Sequence, residues 1–361
     1  MKRDYSQFLP FTAKNGMPEK ASSFLEILGW NSFYEQQLSL DAREHYALVR
    51  ITEVHRSHLR IKGEGVDQLI AFQPDLCVGD WVLYDESRQK IQYALERKSL
   101  LKRRRAGTGR DLQLIASNID TAFIVTSCNH DFNPARLERY LALALEAEIT
   151  PVILLTKTDL CEDMQTYLDQ ARRISPLAFV VALNAHEDDV RRLLSDWCKL
   201  GQTVAFIGSS GVGKSTLVNG LRGDSTVPTQ SIREDDSKGR HTTTARQLYV
   251  IDGACVVIDT PGMRELQLSN AADGIAHLFD DLERLADKCR FKDCTHQTEP
   301  GCAITQAISS GEIEEERFMR WKKLAREEAF NSASLAERRA KDKAFGKMVK
   351  TAMRTKAKTR R

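Results

Sequence analysis

The order of three short motifs constrains this chain more than any other feature. Thr156-Lys157-Thr158-Asp159 comes first, Gly208-Ser209-Ser210-Gly211-Val212-Gly213-Lys214-Ser215 second and Asp259-Thr260-Pro261-Gly262 third. The second is a full Gly-x4-Gly-Lys-Ser phosphate loop. It follows the apolar run Thr203 to Ile207 and precedes the helix-like Thr216-Leu217-Val218-Asn219. Strand, loop and helix in that order are the context the motif requires.

Each residue of the loop has a task. The glycines let backbone N–H groups turn inward around phosphates, and the following helix N-terminus adds partial positive charge. Residues Gly208 to Thr216, with Ser209, Ser210, Gly211, Val212 and Gly213 between them, are therefore expected to contact a nucleotide. Lys214 is expected to reach the β- and γ-phosphates, and the Ser215 hydroxyl to bind Mg²⁺. Asp259 ends an apolar run, where its carboxylate can hold the Mg²⁺ shell and the Gly262 N–H can sense the γ-phosphate. Asp159 can accept hydrogen bonds from guanine N1 and N2, a donor pair that adenine lacks, so it would select GTP. The Lys157 stem can cover the base. Thr156 stands where such motifs usually carry Asn. Lys-x-x-Asp is also ordinary capping chemistry and Asp-x-x-Gly an ordinary turn, so the reading rests on all three motifs together. The next guanine-contacting loop is expected after Phe179 to Leu183, at Asn184-Ala185. In the usual GTP-hydrolysing domain the phosphate loop leads. Here the base reader precedes it, the order of a circular permutation.

Between the phosphate loop and Asp259 lies Lys238-Gly239-Arg240-His241-Thr242-Thr243-Thr244. A threonine hydroxyl here, Thr243 by preference, can complete the Mg²⁺ shell as a switch loop; a polar surface loop is the alternative. The position after Asp-x-x-Gly, which normally holds a water-orienting glutamine, is Met263. Hydrolysis is therefore expected to be slow alone and to need His241 or a partner. The catalytic candidates are Lys214, Thr243 and His241.

Around this site the chain divides into five stretches. Residues 1–44 are a mixed N-terminal extension. Residues 45–110 alternate apolar and polar positions in short runs with Gly63-Glu64-Gly65 and Gly79-Asp80 turns. That rhythm suggests a small β-barrel such as an OB-fold, either RNA-binding or purely structural. Residues 111–269 alternate strands and helices, which gives a mostly parallel sheet covered on both faces, with an antiparallel hairpin around Gly253 at its edge. Asn133-Pro134 marks a helix start. Residues 270–335 read as helical, with an apolar stripe of Ile313, Phe318, Trp321 and Leu324 and a Glu316–Arg320 i,i+4 pair. Residues 336–361 form a basic tail.

Cys289-x4-Cys294-x-His296-x5-Cys302 places three thiolates and an imidazole close together in the sequence. Four such ligands suit a tetrahedral structural Zn²⁺ better than a bare helical turn. The other five cysteines are scattered and read as reduced core residues. No apolar run reaches a membrane span and the N-terminus lacks a signal core, so a cytoplasmic protein is expected. The tail carries 11 Lys and Arg against 2 acids, leaving the body mildly acidic, and Lys102-Arg103-Arg104-Arg105 is a second basic run. Two such patches point to a polyanionic partner.

Together these residues resemble the small-ribosomal-subunit biogenesis GTPases of bacteria, the ribosome-dependent, circularly permuted family. The likeness covers about residues 40–310, from the barrel through Thr-Lys-Thr-Asp, the phosphate loop, Gly-Arg-His-Thr-Thr-Thr and Asp-Thr-Pro-Gly to the Cys-Cys-His-Cys set. It implies a multidomain α/β protein: an N-terminal OB-fold barrel, a permuted P-loop GTPase domain and a C-terminal helical zinc-binding domain. It further implies one structural Zn²⁺ on Cys289, Cys294, His296 and Cys302, and Mg²⁺ with GTP. The implied partners are the 30S subunit and 16S rRNA, with the subunit stimulating turnover during late maturation by a monomer. Two other readings stay open: an RNA-binding nucleotide sensor with negligible turnover, and a GTPase acting on another RNA.

Overall fold

Three short helices open the described chain: α1 (Phe24–Ile27), α2 (Ser32–Glu35) and α3 (Leu40–His45). The computed structural model describes residues 22–104, 112–223, 246–259 and 271–332. Each short helix starts on a polar cap, Ser23 in a capping box with Glu26, Asn31 and Ser39. Trp30 then packs edge-on and Tyr34 at a tilt against the buried Trp81, with ring centroids 5.0 and 5.9 Å away.

Trp81 belongs to an antiparallel unit of five strands: β1 (Ala47–Val54), β2 (His58–Gly63), β3 (Val66–Ala71), β4 (Trp81–Asp85) and β5 (Lys90–Ala94). On β2 alternate residues are buried, as a strand with one covered face requires. β1 pairs with β2 along one edge and divides its other edge. Residues Ala47 to Arg50 pair with β4, whereas Glu53 and Val54 pair with Gln247 and Arg246 far downstream. Tyr84 Oη donates to Gln68 Oε1 at 2.7 Å, tying β4 to β3. A separate hairpin of β6 (Leu100–Arg104) and β7 (Leu112–Ser117) leads out of this unit.

The second half of the sheet is built from β8 (Thr121–Ser127), α4 (Pro134–Glu146), β9 (Thr150–Thr156), α5 (Met164–Ile174), β10 (Phe179–Ala182), α6 (Val190–Leu193), β11 (Thr203–Gly208), α7 (Lys214–Arg222), β12 (Arg246–Val250) and β13 (Val256–Asp259). The strand order is β10-β9-β8-β11-β13-β12, then β1. The first five are mutually parallel, and β12 is antiparallel to both β13 and β1. Every residue of β8 and β11 is buried, the signature of parallel strands covered on both faces. Ala122 and Ile124 enter one core, while Phe123 and Val125 enter the other with Leu217 and Leu221 of α7.

Among the described residues, the alternating strands and helices expected after residue 111 are present, and β12 and β13 form the antiparallel hairpin around Gly253. α6 is short, ending at Leu193, where Ser195 Oγ donates to the Arg192 carbonyl at 2.8 Å and competes with the helical ladder. The expected Glu316–Arg320 pair is 3.9 Å apart with Glu316 on the surface; the main partner of Arg320 is Glu138 of α4, at 2.9 Å.

The C-terminal helices are α8 (Ala272–Leu278), α9 (Asp280–Ala286), α10 (Ala303–Ser309) and α11 (Glu315–Ser332). α8 crosses α4 so closely that a Cβ on Gly274 would lie 2.0 Å from the Ala142 carbonyl oxygen. Arg139 of α4 pairs with Glu327 of α11. Where the N-terminal helices meet the two halves of the sheet, Arg50 is 1% exposed. Its guanidinium donates to the carbonyls of Leu28, Gly79 and Asn118 and to Thr203 Oγ1 at 3.0 Å, and lies over the Trp81 ring. Among the described residues no helix is long and apolar enough to cross a membrane.

Candidate nucleotide and metal sites

The phosphate loop begins where β11 ends beside β8. Gly208 has φ +153°, and a Cβ there would sit 2.3 Å from the Val125 carbonyl oxygen, so only glycine lets the two strands stay paired. Gly213, at φ +98°, delivers the chain into α7, whose N-terminus carries no side-chain cap. The first N–H groups of α7 are thus directed into the loop rather than bonded by a capping side chain. Lys214 Nζ donates to the Gly208 carbonyl at 2.8 Å and to that of Ser209, folding back over the loop. Ser215 and Thr216 follow in the first turn of α7.

Thr156 ends β9, on the far side of β8 from β11, yet it touches this loop. Its side chain is 1% exposed, and Oγ1 lies 2.6 Å from the Val212 carbonyl oxygen and 3.2 Å from that of Thr126. A Cβ on Gly213 would fall 3.8 Å from the same hydroxyl. Lys157 then takes a left-handed conformation, φ +57°, and Thr158–Leu160 forms a short 3-10 turn closed by Leu160 N–H on the Lys157 carbonyl. This turn presents Asp159 to solvent at the same sheet edge as the phosphate loop. Asn184, after β10, is held by its own turn: its N–H donates to Asp188 Oδ2 at 2.7 Å, and its Oδ1 accepts from His186 N–H. The two motifs, whose first residues Thr156 and Gly208 are 52 positions apart in the sequence, are thus one surface.

Other expected site residues stand differently. Asp259 is paired with Gln247 as the last residue of β13, the strand beside β11; its side chain lies outside the described residues. His241, Thr243, Gly262 and Met263 lie wholly outside them. One neighbour of the loop had no motif to announce it. Arg136, in the first turn of α4, donates to Ser209 Oγ and to Asp131 Oδ1. The Asn133-Pro134 helix start places Arg136 on α4, but no local pattern points it at a loop 73 residues away.

The second site lies between α9, α10 and α11. The ligand atoms of Cys289, Cys294, His296 and Cys302 all lie within 4.8 Å of one another. Cys289 Sγ and Cys302 Sγ are each 3.5 Å from His296 Nδ1 and 3.9 Å apart. A tetrahedral ion with Zn–S bonds of ~2.3 Å needs sulfurs about 3.8 Å apart, so the donor set fits zinc. Cys302 caps α10 and accepts from Thr305 N–H; against the opposing effect of burial, this bond and those from neighbouring ligands hold its thiol down at about 6. The intervening turn is organised by Glu299, which accepts from the Thr295 hydroxyl and from the N–H groups of Thr295, Gln297 and Thr298. The Thr295 hydroxyl first, and those N–H groups with it, hold the Glu299 carboxyl down at about 2. His296 sits beneath Phe318 and Trp321 of α11.

The family model of the RsgA GTPase matches residues 94–269. The small ribosomal subunit biogenesis GTPase RsgA 2 of Vibrio parahaemolyticus is 48% identical over 340 residues, 93% of this chain and 95% of that one. The chain belongs to the RsgA GTPase family. The small ribosomal subunit biogenesis GTPase RsgA of Mesorhizobium japonicum is 49% identical over 320 residues, 86% of this chain and 92% of its own. Among solved structures, YjeQ from Thermotoga maritima aligns with a TM-score of 0.55 and 24% identity, covering 77% of this chain and 97% of that one. YloQ, described as a circularly permuted GTPase, aligns at 0.52 and 22% identity, covering 80% and 97%. These two share the fold. As an RsgA GTPase the chain is a GTP hydrolase, and the motif order read from the sequence is that of a permuted GTPase fold.

Proposed function

We propose that this chain binds GTP·Mg²⁺ on its phosphate loop and hydrolyses it to GDP and phosphate while docked on the 30S subunit, assisting late small-subunit maturation. One observation carries the site assignment: the 2.6 Å contact of Thr156 with the Val212 carbonyl, which sets the base-reading turn against the phosphate loop. Asp159 accepts from guanine N1 and N2, and Lys157 covers the base. The loop from Gly208 to Thr216 wraps the phosphates with backbone N–H groups, and Lys214 neutralises their charge. Ser215 and Asp259, joined by Thr243, would hold Mg²⁺, which when bound offsets phosphate charge; the Gly262 N–H senses the γ-phosphate. Met263 cannot orient water, so His241 or the subunit does so, and turnover is slow until docking.

The relatives named for small-subunit biogenesis support the 30S assignment. The N-terminal strands act as an OB-fold over residues 45–110 that contacts 16S rRNA, with the basic run at Lys102 and the tail at 336–361 as further contacts. Residues 111–269 form the GTPase domain. Residues 270–335 are a helical domain held by one structural Zn²⁺ on Cys289, Cys294, His296 and Cys302. The protein works as a cytoplasmic monomer. Turnover of GTP by the full chain, alone and with 30S, with 50S and ATP as controls, tests the reading. Stimulation by 30S with GTP alone is the expected result, and stimulation by neither subunit would overturn it.

A further inference from the structure

Arg136 is anchored more firmly than a helix-surface arginine needs to be. Its N–H is capped by Asn133 Oδ1, and its Nη1 reaches Asp131 Oδ1 at 2.8 Å as well as Ser209 Oγ. Asp131 is itself fixed, because its N–H donates to Asn129 Oδ1, which also accepts from Ser127 Oγ at the end of β8. The second carboxylate oxygen of Asp131 is buried with no hydrogen-bond partner. Among the described residues Arg136 is the cation that pairs with that carboxylate. A continuous set of bonds thus runs from Ser127, through Asn129, Asp131 and Arg136, to the phosphate loop. The helix that carries Arg136 is held in turn by α11, through Glu138 with Arg320 and Arg139 with Glu327.

Ser209 is the second residue of the loop, and its carbonyl already accepts from Lys214. The residue is therefore gripped on two sides, by Lys214 at the backbone and by Arg136 at the side chain. We propose that Arg136 is a positioning residue for GTP hydrolysis, which fixes Ser209 and with it the first turn of the phosphate loop. This rests on the reading that Gly208 to Ser215 binds the phosphates of GTP. Arg136 acts through Ser209 without touching the nucleotide. Its contribution is geometric, and small displacements of a preorganised site cost rate more than binding.

The test uses the full chain with GTP, with kcat and KM determined separately for Arg136→Ala, Arg136→Lys, Ser209→Ala and the double variant Arg136→Ala/Ser209→Ala. Arg136→Ala is expected to lower kcat about tenfold or more while KM changes far less. Arg136→Lys restores part of the loss. Ser209→Ala, which leaves the Asp131–Arg136 pair intact, reproduces the fall in kcat, and the double variant is no worse than Arg136→Ala. Wild-type kcat in Arg136→Ala overturns the proposal. So does a double variant in which the two losses multiply, or a Ser209→Ala with normal kcat, which would trace the Arg136→Ala defect to folding. Lys214→Ala separates the two levels of the argument. If it leaves GTP binding and turnover intact, the phosphate-site reading falls and takes the proposal with it. If it abolishes them while Arg136→Ala is normal, only the proposal falls.

Discussion

Glu138 and Arg320 form a charge pair between α4 and α11 in which Nε lies 2.9 Å from both carboxylate oxygens and the Glu138 side chain has no exposure. Arg317 adds a second cation 4.0 Å away. Burial dominates and raises the Glu138 carboxyl above its usual value, with Arg320 and Arg317 pulling it back. Arg320→Ala would strand the carboxylate and is expected to cost about 3–5 kcal/mol in urea denaturation near neutral pH. A raised carboxyl pKa makes the ionised form a liability, fully relieved only below its ordinary value of 4.5. The deficit of Arg320→Ala should therefore shrink as pH falls toward that value; a deficit that grows on acidification contradicts the assignment.

Thr156 stands where the motif usually has Asn, and its hydroxyl bonds the phosphate loop instead. Thr156→Val keeps the shape and leaves the Val212 carbonyl without its donor, at about 1–3 kcal/mol. Titration with a fluorescent GTP analogue should show affinity at least several-fold weaker. Unchanged affinity would mean that the contact does not support the loop.

Asp159 is exposed at its turn and bears little packing. Asp159→Asn should therefore leave stability unchanged while weakening GTP and favouring xanthosine triphosphate, measured by competition binding. Unchanged GTP binding in the variant would place the base elsewhere.

Chelation tests the second site. Treatment with a strong zinc chelator is expected to loosen the helices around Cys289 and Cys302, because such a cluster of thiols is held together by its ion. Zinc release, followed with a colorimetric indicator, should approach one equivalent per chain, and Cys302→Ser should reduce it. A preparation that folds normally with no zinc would refute the assignment.

Arg50 satisfies three buried carbonyls and a hydroxyl from four parts of the chain. Arg50→Met fills some of the volume but orphans those acceptors, so a loss of about 3 kcal/mol or more is expected in thermal or urea unfolding. A variant as stable as wild type would show that solvent replaces the guanidinium.

What could be read from the sequence follows the distance over which each feature is encoded. The phosphate loop and the Cys-x4-Cys-x-His-x5-Cys set are complete within short windows, so residue type and spacing announce them. The α4 start at Asn133-Pro134 and the buried runs of β8 and β11 are equally local. Arg136 on Ser209 and Thr156 on Val212 join residues 73 and 56 positions apart, and no periodicity encodes that. Arg320 shows the same limit: its i,i+4 pair with Glu316 is local and legible, whereas its closer partner Glu138 lies 182 positions away.

The pairing of Glu53 and Val54 in β1 with Gln247 and Arg246 in β12 has a bearing on how the chain is made. During synthesis β1, β2 and β4 can assemble early, but the C-terminal half of one β1 edge waits for a strand nearly 200 residues downstream. At roughly 5–20 residues per second that edge stays open for about 10–40 s. Its open end carries Glu53 with Arg60 and His55 beside it, charges that discourage a passing strand from another nascent chain.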